Sequence, residues 1–226
     1  MRSRVFTVLQ SAVLFLVFTS QAPAAPSDTL AGKVDAVITP GYFHGMPYEQ
    51  AKALGREAIP ILRSRLHDPE FQEHLPSICS AIGFIGAPEG FPILRDFVWD
   101  PGVVRDSVLG SPRACTAELV AQSVIGLIAK NSDDALKYLQ QSTNPACWDT
   151  LPWYCSDRGN TRMELVEMSI IGLTYSERPE ARAFLMGLSQ SGKTENIRLE
   201  AGRGVIRFDE ISKVGFAEYK RRAQKY

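Results

Sequence analysis

Apolar and polar positions along the chain form a pattern that recurs four times. Each recurrence opens on an acidic residue, has Ala or Gly second, and closes on a Leu preceded by an apolar residue: Glu57 to Leu62, Glu89 to Leu94, Asp134 to Leu139 and Glu180 to Leu185. Pro60, Pro92, Lys137 and Ala183 share one slot. An acid at this point complements the positive end of a helix, and Pro is tolerated in a first turn whose N–H groups have no partner anyway. These segments are therefore predicted as helices, here named A. Each is followed by a second periodic segment: Ile78, Ile82, Ile85; Leu119, Val124, Leu127; Val166, Ile170, Leu173; and Ile197, Ala201, Val205. Steps of three to five place these residues on one helix face, and the segments are named B.

Equivalent points in the B helices are marked by Ile82-Gly83, Ile125-Gly126 and Ile171-Gly172, with Val205-Ile206 in the fourth unit, where the Gly is read as lost. From the A-helix Leu to the marker the separations are 21, 32, 33 and 21 residues. Two units are compact, and the middle two carry an insertion between A and B. One such pair cannot bury its apolar stripe alone, whereas stacked pairs share a continuous core and need capped ends. Residues 48–55 supply a leading turn. Glu210 to Arg222 reads as a trailing helix with Val214, Phe216 and Tyr219 inward.

At Gly55 to Leu66, Ile82 to Leu94, Ile171 to Leu185 and Ile197 to Ala201, with Arg198 early in the last B helix, the chain resembles a HEAT-repeat protein. The likeness is to the short HEAT-like repeats also found in phycobilisome lyases, and it covers about residues 48–208. The resemblance implies an all-α fold: a right-handed α-solenoid of about four helix pairs with capping helices. Such repeats serve as scaffolds, adaptors and a few lyases, so it implies a surface rather than a particular chemistry.

The first 24 residues add a destination. Arg2 and Arg4 precede an apolar run from Val5 to Phe18, and Ala22, Pro23 and Ala24 follow, which is the order of a secretory signal. The run is shorter than the roughly 20 residues a membrane span requires. Cleavage is expected near Ala24, giving an exported protein, periplasmic or secreted, with no transmembrane segment in its mature form. The expected organisation is a signal peptide over 1–24, an irregular segment over 25–47, the repeat domain over 48–209, and a capping helix with a basic tail over 210–226.

Composition narrows the chemistry by what it lacks. The 226 residues are 45% hydrophobic and 22% charged, as in an ordinary globular chain, and 25 basic residues balance 25 acidic ones. No overall field points to nucleic acid. The basic end, Lys213, Lys220, Arg221, Arg222 and Lys225 against Glu218, reads as a solvated terminus. His74 and Cys79, about 140° apart around one helix, do not share a face, and neither a Cys/His nucleophile pair nor a metal cluster using His67 and His74 is expected. Gly187 to Thr194 matches the phosphate-loop pattern G-x-x-x-x-G-K-[ST], which keeps a nucleotide hydrolase through Lys193, or a lyase by family analogy, as the alternative function. That chemistry needs a strand before the loop, whereas this segment reads as an A-to-B turn. No catalytic residue, cofactor or metal is therefore expected.

The insertions both join an A helix to its B helix, and in a stacked repeat such connections share one edge. Trp99, Trp148, Trp153 and Tyr154 gather there with the charged Asp149 and Arg158, and these six are the candidate partner-binding residues for a protein partner. Cys147 and Cys155 lie eight apart between Pro145 and the start of the next helix, and a disulfide between them is expected. Cys115, which opens its B helix on the same edge, is the competing partner for either. Cys79, about 10 Å deeper at 1.5 Å per residue, is expected as a buried free thiol. The functional expectation is an exported interaction scaffold or adaptor, not an enzyme.

Overall fold

The computed structural model describes residues 28–42, 45–100, 112–151 and 158–223. The described residues form eleven α-helices and no strand. In chain order they are α1 (Leu30–Ile38), α2 (Tyr48–Lys52), α3 (Ile59–Leu66), α4 (Leu75–Ile85), α5 (Gly90–Trp99), α6 (Pro112–Ala129), α7 (Asp133–Ser142), α8 (Arg158–Tyr175), α9 (Pro179–Ser191), α10 (Glu195–Val214) and α11 (Phe216–Ala223).

The four A segments are α3, α5, α7 and α9, and the acid of each stands at the helix entrance. Glu57 lies in a 3-10 turn over Arg56–Ala58, Glu89 is the N-cap of α5, and Asp134 and Glu180 are in first turns. Pro60 and Pro179 occupy the first two helical positions of α3 and α9, where a missing N–H is harmless. Side-chain caps fix two further starts. Ser132 Oγ accepts from Ala135 N at 3.3 Å, and Thr194 Oγ1 from Ile197 N at 3.3 Å.

Each A helix packs on the B helix that follows it: α3 on α4, α5 on α6, α7 on α8 and α9 on α10. The B helices pack on one another in chain order, α4 on α6, α6 on α8, α8 on α10. Their apolar stripes, including Ile78, Ile82, Ile125, Ile128, Val166 and Ile170, are buried to 5% exposure or less and make one continuous core.

Glycine sets how closely the B helices approach. A Cβ on Gly83 would lie 2.3 Å from Val124 Cβ, and one on Gly126 would lie 1.9 Å from the Gly172 carbonyl oxygen. The fourth unit has kept this device. Gly204 is buried, and a Cβ there would lie 3.1 Å from Ile170 Cγ2, so the fourth marker is Gly204 rather than Val205-Ile206.

Two terminal regions differ from expectation. The segment read as irregular holds α1, capped by Thr29 Oγ1, with Val34 and Ile38 wholly buried. Arg65 of α3 clasps Asp35 through Nε and Nη2, each at 2.9 Å. At the other end α10 runs on to Val214, and the break falls at Gly215, whose φ of 79° is open to glycine. The trailing helix is thus α11, with Phe216 as its buried anchor, and it reaches back to pack on α2. Lys225 lies outside the described residues.

Candidate interaction surface

Of the aromatic edge, the described residues Trp148 and Trp99 stack on each other, and Trp148 is packed inward. After α7 the chain makes a 3-10 turn over Pro145–Trp148, which Asn144 opens by accepting from Ala146 N at 3.3 Å. The turn drives Trp148 under the helices. Its side chain is wholly buried, its Nε1 donates to the Ser142 carbonyl at 2.9 Å, and its ring stacks on Trp99 with centroids 5.4 Å apart. Trp148 is therefore core, which corrects its place among the partner-binding residues. Trp99 is half-buried beneath the same stack, and Asp149 is exposed and ion-paired with Arg162. Arg158 opens α8, while Trp153 and Tyr154 lie outside the described residues.

Below the stack a buried polar chain crosses three helices. Tyr138 OH donates to Gln122 Oε1 at 2.9 Å, Gln122 Nε2 donates to Ser169 Oγ at 2.8 Å, and Ser169 Oγ donates to the Leu165 carbonyl at 2.7 Å. Each group in this relay has a partner, so it fastens α7, α6 and α8 in register without an orphaned dipole. Burial holds the Tyr138 hydroxyl far above its ordinary pKa.

The thiols differ from expectation in one respect. Cys79 is free and wholly buried, as expected, but Cys147 is also free, so the expected bridge to Cys155 is not formed. Cys147 sits half-buried in the turn that carries Trp148, and desolvation raises its pKa against a hydrogen bond with Ser142 that lowers it. Cys115 is disulfide-bonded, and Cys155 lies outside the described residues.

One titratable group had no signal in the sequence. Glu118 of α6 is 2% exposed and its Oε1 has no hydrogen-bond partner. Burial pushes its pKa up to about 8. The buried Cys79 thiol, on the neighbouring helix α4, is pushed up first by desolvation and then by the charge of Glu118.

An open apolar feature lies between α3 and α5. It is a groove of about 540 Å³ lined by Ile59, Pro60, Leu66, Pro92, Ile93 and Phe97, with Arg63, His67, Glu89, Asp96 and Asp100 around the apolar floor. Pro60 of α3 and Pro92 of α5 line its two walls.

The phosphate-loop pattern has a different fate. Residues Gly187 to Ser191 are the last turns of α9, Gly192 is its C-cap, and Thr194 caps α10. The backbone N–H groups that would cradle a phosphate are committed to a helix, and Lys193 Nζ donates to Asn144 Oδ1 at 3.1 Å. The pocket beside it, about 120 Å³, is well below the roughly 300 Å³ of a small-molecule site. Among the described residues there is no group of three His, Cys, Asp or Glu able to hold a metal, and no helix is long and apolar enough to cross a membrane.

No family model, no curated protein and no solved structure matches the chain.

Proposed function

We propose that the protein is an exported adaptor built as a HEAT-like α-solenoid, and that the groove between α3 and α5 receives a segment of a protein partner. The groove carries the reading. It is an apolar trough, with Ile93 half-buried and open to it, between two neighbouring A helices, and three carboxylates surround its floor. A fitting segment would bring one or two aliphatic or aromatic side chains for the floor and polar groups for its charged rim.

The order of packing supports the architecture. Each A helix lies on its own B helix and the B helices stack in sequence, which is what a repeat with a continuous core requires. The signal-like sequence of the first 24 residues and the disulfide-bonded Cys115 support export, since disulfides persist in oxidising compartments.

The test is capture of a partner by the oxidised protein, followed by binding of the two purified components. Ile93→Arg, with its circular dichroism and melting unchanged, is expected to weaken that binding at least about tenfold. Undiminished binding by this variant would move the partner off the groove and remove the reading.

A further inference from the structure

The last B helix has two faces of different character. Ile197, Ala201, Gly204, Phe208 and Ile211 of α10 are buried on the side of α8 and α9. On the opposite side Leu199 is 51% exposed and Ile206 is 72% exposed, the two most exposed large apolar side chains among the described residues. A Cβ added to Gly202 would meet nothing within 4 Å.

These residues form one line. At about 100° per residue, Glu195, Leu199, Gly202, Ile206 and Lys213 all fall within about 40° of a single stripe along α10. An acid stands at its beginning and a base at its end, about 27 Å apart at 1.5 Å rise per residue. Two of the flanking charges are already used within the chain: Arg203 pairs with Glu200, and Asp209 is clasped by Arg182 at 2.7 and 3.0 Å. Glu195 and Lys213 are exposed and make no ion pair among the described residues, Lys213 adding only the last and smallest part, after Arg182, to the field that lowers the Asp209 pKa.

We propose that this stripe is a self-association surface, on which α10 of a second copy of the chain docks antiparallel about a two-fold axis passing opposite Gly204. In that arrangement residues equally distant from Gly204 on its two sides meet. Ile206 of each copy enters the open space over Gly202 of the other, and Glu195 of each faces Lys213 of the other. The stripe is self-complementary in both shape and charge, as a two-fold contact requires. It also continues outward the device that joins the B helices inside, where a glycine admits the neighbouring helix. The occupant is specified by shape and charge together: a first-turn acid and a last-turn base are common to many helices, but α10 also sets the open Gly202 and the exposed Ile206 at equal distances from the same centre, so a second copy matches the stripe at both places.

A contact built on one helix stripe is small, so the dimer is expected to be weak, with a dissociation constant on the order of 10 µM. Sedimentation velocity of the oxidised protein from about 1 to about 200 µM tests it. The weight-average mass should rise towards twice that of the monomer, and less so as salt screens the end charges. Ile206→Glu should remain monomeric throughout with unchanged circular dichroism. Glu195→Lys should weaken association at least about fivefold, and Glu195→Lys combined with Lys213→Glu should restore it. A wild-type protein monomeric at the highest concentration, a dimer indifferent to Ile206→Glu, or a charge swap without rescue would each overturn the proposal. None of these outcomes bears on the groove between α3 and α5, so the two readings fail separately.

Discussion

Gly126 and Gly172 meet backbone to backbone across α6 and α8, so that a Cβ on Gly126 would lie 1.9 Å from the Gly172 carbonyl oxygen and 2.7 Å from its Cα. The atoms in the way are main chain and cannot rotate aside. Gly126→Ala must therefore push α6 from α8 and loosen the core they share, for a loss of about 3 kcal/mol or more in urea unfolding. Gly202 supplies the contrast, because its Cβ position is open. Gly202→Ala in this helix interior should stabilise by up to about 1 kcal/mol when measured on dilute protein. Equal effects at the two sites would show that helix propensity, not close approach, governs both.

The helices were legible because acid-first segments and period-four apolar stripes are local signals. The closest packing was not. Gly204 escaped a reading guided by Val205-Ile206, because which residue of a helix meets its neighbour depends on rotation about the axis, which only the packed structure fixes. In α1, Leu30, Val34 and Ile38 recur every four residues, yet Pro26, Pro40 and Gly41 around them read as loop. Trp148 shows the limit for the site. An aromatic residue in an inserted loop serves equally as a binding group or as a plug, and the choice rests on a 3-10 turn and one hydrogen bond to Ser142. Glu118 is the converse: its charge reads as a solvated position, and only the packed structure shows it buried with Ala117 and Ala121.

Trp148 should behave as a core residue. Trp148→Ala removes a wholly buried indole, its stack on Trp99 and its donor to Ser142, and is expected to cost about 3–5 kcal/mol. Trp148→Phe keeps most of the volume and should cost less than half of that. Thermal melts of both variants decide the matter. Full stability in Trp148→Ala would return the indole to the candidate binding surface.

Glu118 should make stability fall as pH rises. Its pKa is raised in the folded chain to about 8 from an ordinary 4.5, so between those values the folded state keeps a proton that the unfolded state has lost. Its contribution is complete below about pH 4.5 and declines by about 1.4 kcal/mol per pH unit, levelling off above about 8. Glu118→Gln removes the titration, so its advantage over wild type should grow from pH 5 to pH 9. Urea midpoints of the two proteins that run parallel across this range would show that Glu118 is not held protonated.

Cysteine mapping should leave Cys79 and Cys147 alkylated in the non-reduced, denatured protein. With those two free and Cys115 bonded, Cys155 is the one cysteine left for it within a single chain. A bridge from 115 to 155 closes a loop of about 40 residues and contributes about 4 kcal/mol in the chain-entropy view, so reduction should lower the melting temperature markedly. Recovery of a peptide linking Cys147 to Cys155 would reverse this assignment.

Phe216 should couple the two ends of the chain. Its ring lies 4.9 Å from Tyr175, 5.1 Å from Tyr48 and 6.1 Å from Phe84, so one residue of α11 touches α8, α2 and α4 together. The helix α2 has only five residues, too few to persist alone, and Tyr48 is the side chain through which it meets this cluster. Phe216→Ala is expected to cost about 3–5 kcal/mol globally. It should also strip protection from the amides near Ala51 well before those of α6 exchange. The Arg221 and Arg222 pairs with Glu218 lie on α11 itself and cannot substitute for that anchor. Hydrogen exchange resolved by segment distinguishes the cases: loss confined to α11 itself would mean that α2 is held by α4 alone, and that the C-terminal helix does not close the structure onto its beginning.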